Sequence, residues 1–235
     1  KLALFCNVRK TSVIQNKTAD NLYAVPLMLE EEGLAREVCN YLKLDRYVPD
    51  NTKWEDLIEK VRKIGDEKVK IAIVGKYVQL EDSYLSVIES LHHAGFANNV
   101  KIDIKLIDAE TITEETVAEK LKGIQGIITP GGFGNRGVEG KIIVTKYARE
   151  NKIPFLGICL GMQMAVVEFA RNVLGIKDAN STEFDEKTEN PVIHIMEEQK
   201  EVEQKGGTMR LGSYPCKIKE GTLAHELYAE TLINE

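Results

Sequence analysis

The residues with the strongest chemical implication are Gly157-Ile158-Cys159-Leu160-Gly161. A cysteine with glycine two positions away on either side has the spacing of a G-x-nucleophile-x-G turn, with Cys in place of Ser. Such a turn joins a strand to a helix so sharply that bulkier side chains would collide with neighbouring backbone. It would expose the Cys159 sulfur at the carboxyl end of a sheet, where ligands bind in open α/β folds. The positive end of the following helix favours thiolate over thiol. The Leu160 backbone N–H would then face a developing oxyanion. The competing reading of Cys159 is a small apolar residue buried at a strand end.

A second loop, Pro130-Gly131-Gly132-Phe133-Gly134-Asn135-Arg136-Gly137, lies at another predicted strand end. It contains Gly132-x-Gly134-x-x-Gly137, a literal match to the dinucleotide fingerprint. That fingerprint belongs to the first strand of a βαβ unit, and here at least two strands come earlier. A Gly-Gly turn at this edge has another use: its backbone N–H groups can complete an oxyanion hole opposite a nucleophile on a neighbouring strand. A mobile surface loop is the alternative. Gly75-Lys76 does not satisfy the phosphate-loop pattern.

Strands and helices must alternate to place these two loops. From Val69 onward they do. Ile71–Val74, closed by Gly75, is a short apolar run suited to a buried parallel strand. Tyr84, Val87, Ile88 and Leu91 repeat at helical spacing, and Ile102, Ile104 and Leu106 alternate as a strand. Val117, Ala118 and Leu121 suggest a helix. Gly126–Thr129 reads as a strand, Ile142, Ile143 and Tyr147 as a helix, Pro154–Ile158 as a strand and Leu160–Leu174 as an apolar helix. This alternation predicts an α/β fold, a parallel sheet covered on both faces. Before it, residues 1–45 open with the apolar run Leu2–Cys6 and carry a helical pattern around Leu27–Leu44. They read as the tail of something larger. Residues 46–68 read as a linker with one amphipathic helix, bearing Trp54, Leu57, Ile58 and Val61 on one face. Thr52 and Glu55 have capping-box spacing at its start. Glu197–Gly207 reads as an exposed loop.

The composition excludes several classes. Thirty-one Lys and Arg against 37 Asp and Glu give a net charge of −6 with no basic stripe, which argues against a nucleic-acid surface. No apolar run approaches the roughly 18 residues of a membrane span, and the first residues do not resemble a signal peptide. The four cysteines, at 6, 39, 159 and 216, lack the paired spacing of a zinc site. No metal site is expected, and the cytoplasm is the expected compartment.

The two loops, in this order, resemble those of class I glutamine amidotransferases. Longer stretches resemble the CTP synthase family: Gly131–Lys141, Phe155–Gln163, Asn180-Ser181-Thr182-Glu183-Phe184, Gly206–Gly212, Leu4–Val8 and Tyr23–Leu27. The resemblance covers almost the whole chain. It implies a three-layer, flavodoxin-like, mostly parallel sheet. It also implies three regions: the end of a synthetase (amidoligase) domain over 1–45, an interdomain linker over 46–68, and an amidotransferase domain over 69–235 that stops short of its C-terminus. By resemblance, the full enzyme aminates UTP to CTP with ATP and Mg²⁺ in its synthetase domain, takes ammonia from glutamine through an internal passage, is activated by GTP and is a homotetramer. No cofactor is expected in this chain itself. Cys159 would be the nucleophile that forms a glutamyl thioester, with Gly132 and Leu160 as oxyanion donors. Gly132, Leu160, Gly161, Met162, Gln163 and Glu183 would bind glutamine, Glu183 through the substrate α-ammonium. Arg136 and Arg210 are candidates for the glutamine or GTP region.

One departure stands out. The family's His-Pro-Glu, whose histidine is the acid–base partner of the cysteine, does not occur here. The four histidines are His92, His93, His194 and His225, and none has the expected neighbours. Two other readings therefore stay open: a cysteine hydrolase of related fold, or a catalytically incomplete binding or assembly fragment.

Overall fold

A computed structural model describes residues 1–45, 48–195 and 213–235. These divide into two compact units, residues 1–70 with 84–103, and residues 71–83 with 104–235. Residues 84–103 group with residues 1–70 in this division.

The opening apolar run is a single helical turn, α1 (Leu2–Phe5), with Leu4 and Phe5 exposed. The helical pattern around Leu27–Leu44 is two helices, α2 (Val25–Glu31) and α3 (Leu34–Leu42), broken at Gly33 where φ is +87°. Helix α4 (Thr52–Lys63) is the expected amphipathic helix, and Ile58 is its buried residue. The capping box does not form. Thr52 is the first helical residue and Asn51 the cap. Both the N–H and the hydroxyl of Thr52 donate to Asp50, at 3.0 and 2.6 Å. A charged carboxylate two residues upstream is the stronger acceptor and takes the hydroxyl away from the helix.

Strand β1 (Lys68–Gly75) is followed by α5 (Leu85–Asn98), β2 (Lys101–Asp108), the single-turn α6 (Val117–Lys120) and β3 (Gly126–Thr129). Then come α7 (Val138–Glu150), β4 (Phe155–Gly157) and α8 (Leu160–Asn172). The remaining elements are β5 (Asn180–Ser181), β6 (Pro191–Ile193), β7 (Pro215–Lys217), α9 (Leu223–Tyr228) and β8 (Leu232–Asn234). Four strands form one sheet in the order β2-β1-β3-β4, with the β1–β3 and β3–β4 pairs parallel. Ala72 is in register with Ile127, and Ile128 with Leu156. The expected alternation and parallel pairing are therefore present. Leu156 on the edge strand β4 remains 55% exposed.

In the first unit Tyr23 is the hub. Its ring meets the edges of His93 and Phe96, with centroids 5.6 and 5.4 Å away. Its hydroxyl donates to Glu89 at 2.6 Å, and Trp54 Nε1 donates to the Tyr23 carbonyl at 2.7 Å. Partial burial, reinforced by Glu89, pushes the Tyr23 phenol up to about 12.

The second unit has two apolar clusters. One joins the sheet to α6 and α7 through Ala72, Val74, Ile107, Val117, Leu121, Ile127, Val144 and Ala148. The other joins α7 to α8 through Val138, Ile142, Leu160, Met164 and Val167, with Phe184 and Val192 against it. Each large aliphatic side chain so buried contributes roughly 1.5–3 kcal/mol. Between α7 and α8, the Arg149 guanidinium donates to the buried Glu168 carboxylate at 2.7–3.1 Å, and Asn172 adds a third donor at 3.2 Å.

Candidate functional site

The site forms where β3 and β4 end. The Ile158 N–H donates to the Thr129 carbonyl at 2.9 Å, which carries the β3–β4 pairing one step past the strand. The chain then reverses at Cys159, whose φ of +53° and ψ of −110° lie outside the regions L-residues prefer. Such a conformation costs about 1–3 kcal/mol and persists only where the surroundings enforce it. They do so here. A β-carbon on Gly157 would lie 2.5 Å from both the Gly161 carbonyl carbon and the Met162 nitrogen, and one on Gly161 would collide with the Thr129 carbonyl. The Gly161 N–H closes the turn on the Ile158 carbonyl at 3.0 Å. Helix α8 begins at Leu160, so Cys159 occupies its N-cap. Cys159 is exposed while Leu160 and Gly161 behind it are buried.

The Gly-Gly turn stands directly opposite. A β-carbon on Gly131 would lie 3.2 Å from Cys159 Cβ and 3.7 Å from its sulfur. The loop and the nucleophile are thus adjacent, and Leu160, as the first residue of α8, carries an N–H that a helix leaves without an internal acceptor.

Glu183 is brought to the same loop. Its carboxylate accepts from the Gly134 N–H at 3.4 Å. The turn carrying it is held by Ser181, which is buried and whose Oγ accepts from the Glu183 N–H at 3.2 Å. Thr182 bridges to β6, its N–H donating to the Ile193 carbonyl at 3.0 Å. Gln163 lies half-buried one turn into α8, its N–H on the Cys159 carbonyl at 3.1 Å. Met162 is 49% exposed. Arg136 is placed differently: its guanidinium pairs with Glu110 at 3.1 Å. Arg210 and the Gly206–Gly212 and Glu197–Gly207 stretches lie outside the described residues.

Two lysines that sequence reasoning did not single out flank the Gly-Gly turn. Lys141, on α7, has no exposed surface, and its ammonium donates to the Pro130 carbonyl at 3.1 Å. Burial drives its pKa down to about 8; Lys76 pushes the same way and Cys159 opposes. Lys76 follows β1 directly. Its ammonium donates to the Phe133 carbonyl and lies 4.8 Å from the centroid of the Tyr77 ring. A signal for Lys141 existed. It falls on the stripe Val138, Lys141, Ile142, Thr145 and Ala148, all buried, which is the three-and-four spacing of a core-facing helix.

His92 and His93 lie on α5 against Glu89 and Tyr23 in the first unit. His194 is exposed beside the Ile195 carbonyl, and His225 lies on α9.

The family model for class-I glutamine amidotransferases matches residues 79–231, and the model for the CTP synthase N-terminus matches residues 1–44. CTP synthases of Bacillus velezensis and Halalkalibacterium halodurans are 54% and 55% identical to the whole of this chain, and that of Bacillus subtilis 52%. The chain spans 44% of the length of each. A solved structure, the glutaminase domain of Trypanosoma brucei CTPS with bound acivicin, superposes with a TM-score of 0.58 at 36% identity, over 71% of this chain and 65% of that one.

Proposed function

The chain belongs to the class-I glutamine amidotransferase family, and from that premise we propose that it is the glutamine-hydrolysing part of a CTP synthase. The observation that carries the chemistry is the strained turn that leaves Cys159 exposed with its side chain beside Gly131. In the proposed reaction the Cys159 thiolate attacks the glutamine side-chain carbonyl carbon. The carbonyl π electrons move to oxygen, and the N–H groups of Gly132 and Leu160 hold the oxyanion. Collapse expels the amide nitrogen, which takes up a proton and leaves as ammonia, with a glutamyl thioester behind it. Water then hydrolyses the thioester, returning glutamate and the thiolate. Glu183 pairs with the substrate α-ammonium, and Gln163, Gly161 and Met162 line the same end of α8. The proton-transfer partner in the family's chemistry is the histidine of a His-Pro-Glu, a triplet not found among these 235 residues.

The larger activity follows by the same reading. The ammonia aminates UTP to CTP with ATP and Mg²⁺ bound in a synthetase domain, a reading supported by the match of residues 1–44 to the CTP synthase N-terminus model. GTP acts as activator and the full protein is a cytoplasmic homotetramer. Residues 46–68 serve as the linker. Among the described residues no helix is long and apolar enough to cross a membrane.

The test is CTP formation by the full-length protein from UTP and ATP, with nitrogen from glutamine or from added ammonia. Cys159→Ser is expected to abolish the glutamine-dependent reaction and leave the ammonia-dependent one. Glutamine-dependent synthesis that persists in the variant contradicts the role given to Cys159.

A further inference from the structure

The peptide planes on the two sides of the Gly131-Gly132 turn are each held by a lysine. At one end, buried Lys141 on α7 donates to the Pro130 carbonyl at 3.1 Å. At the other, Lys76 donates to the Phe133 carbonyl, and the N–H of that same peptide, on Gly134, goes to Glu183 at 3.4 Å. Fixing a carbonyl fixes the whole planar peptide unit. Glycines leave the turn itself conformationally open, so its orientation must come from outside it.

A buried lysine is an unusual way to do this. A neutral or apolar residue at 141 would suit the stripe of α7 better, since a buried ammonium is destabilising unless its partners are good. The retained cation is aimed at a carbonyl one residue before the turn that faces the nucleophile.

We propose that Lys141 and Lys76 are positioning residues that clamp the Gly131-Gly132 turn at both ends and hold the Gly132 N–H toward the oxygen of the carbonyl attacked by Cys159. The proposal rests on the glutaminase reading above. Neither lysine is assigned contact with the substrate. Loss of a clamp lowers oxyanion stabilisation without removing the nucleophile or the groups that bind glutamine. Deleting an oxyanion donor outright costs about 10²–10³ in kcat, and misplacement by about 1 Å can cost about 10². A loosened turn is therefore expected to lower kcat about 10- to 100-fold.

The experiment compares full-length wild type, Lys141→Met and Lys76→Met. Glutamine hydrolysis is measured for kcat and KM, Cys159 alkylation with iodoacetamide, and amide hydrogen exchange over residues 131–134. The clamp predicts a 10- to 100-fold fall in kcat, a KM for glutamine within about threefold, an alkylation rate within about threefold, and faster exchange in the turn. A purely structural role for the lysines would not split kcat from KM in this way. Unchanged kcat and unchanged exchange in both variants overturn the proposal. If Lys141→Met does not fold, Lys76→Met, at a half-buried position, decides it by the same criteria. If the wild type does not hydrolyse glutamine, the glutaminase reading fails, and the exchange measurement alone still decides whether the lysines hold the turn.

Discussion

Helices α2 and α3 in the first unit contain no buried residue, whereas α7 in the second buries seven of its thirteen. The two units differ in how they hold a shape. The first is organised around one aromatic hub, Tyr23, and carries ion pairs, such as Arg62–Asp20, that are exposed. The second is built from close backbone approaches and a buried carboxylate, and it contains the strained cysteine. The close backbone approaches at Gly157 and Gly161 enforce the disfavoured backbone conformation of Cys159 between them.

Glycine substitutions should break this contrast most sharply. Gly161→Ala drives a methyl group into the Thr129 carbonyl, and we expect a loss of about 4 kcal/mol or failure to fold. Gly33→Ala places its methyl against the movable end of Arg36 at a positive φ and should cost about 1 kcal/mol. Denaturant unfolding of both variants measures the difference.

Ion pairs come next. Glu168→Ala leaves the Arg149 guanidinium without its main partner beside a buried site, for an expected loss of about 3 kcal/mol. Arg62→Ala, which removes an exposed pair, should leave the unfolding midpoint unchanged within error. Equal effects would erase the distinction between the units.

The pH dependences should run in opposite directions. Lys141 titrates near 8 when folded and near 10.5 when unfolded. Between these values the unfolded chain binds more protons, so stability rises with pH. The advantage of Lys141→Met over wild type in thermal unfolding is therefore greatest below pH 8 and shrinks as pH climbs toward 10.5. Tyr23 titrates near 12 when folded and near 10 when unfolded. Its contribution is complete below pH 10 and is lost between 10 and 12, a decline that Tyr23→Phe should abolish.

The smallest effect is at Thr129, whose buried hydroxyl has no hydrogen-bond partner among the described residues. Thr129→Val should be neutral or stabilising by up to about 1 kcal/mol, read from the same unfolding curves.

Much of the second unit was legible because its signals are local. The apolar runs at Ile71–Val74 and Gly126–Thr129 bury on both faces, and the glycine spacing around Cys159 has a steric reason that the turn confirms. What escaped depended on which partner a side chain found. Thr52 looked like a cap until Asp50 outcompeted it. The contacts of Glu89, His93 and Phe96 with Tyr23, some 70 positions away, had no local signal. Lys141 was not singled out, because lysine is a residue type that rarely buries, although its helical phase places it inside.

The most direct test of the central claim is the intact mass of the protein after incubation with a diazoketone analogue of glutamine, followed by peptide mapping. The account predicts one adduct, on Cys159, and its suppression by excess glutamine. An adduct on Cys6, Cys39 or Cys216 instead, or labelling of Cys159 that glutamine does not slow, would contradict the assignment of this turn as a glutamine-hydrolysing site.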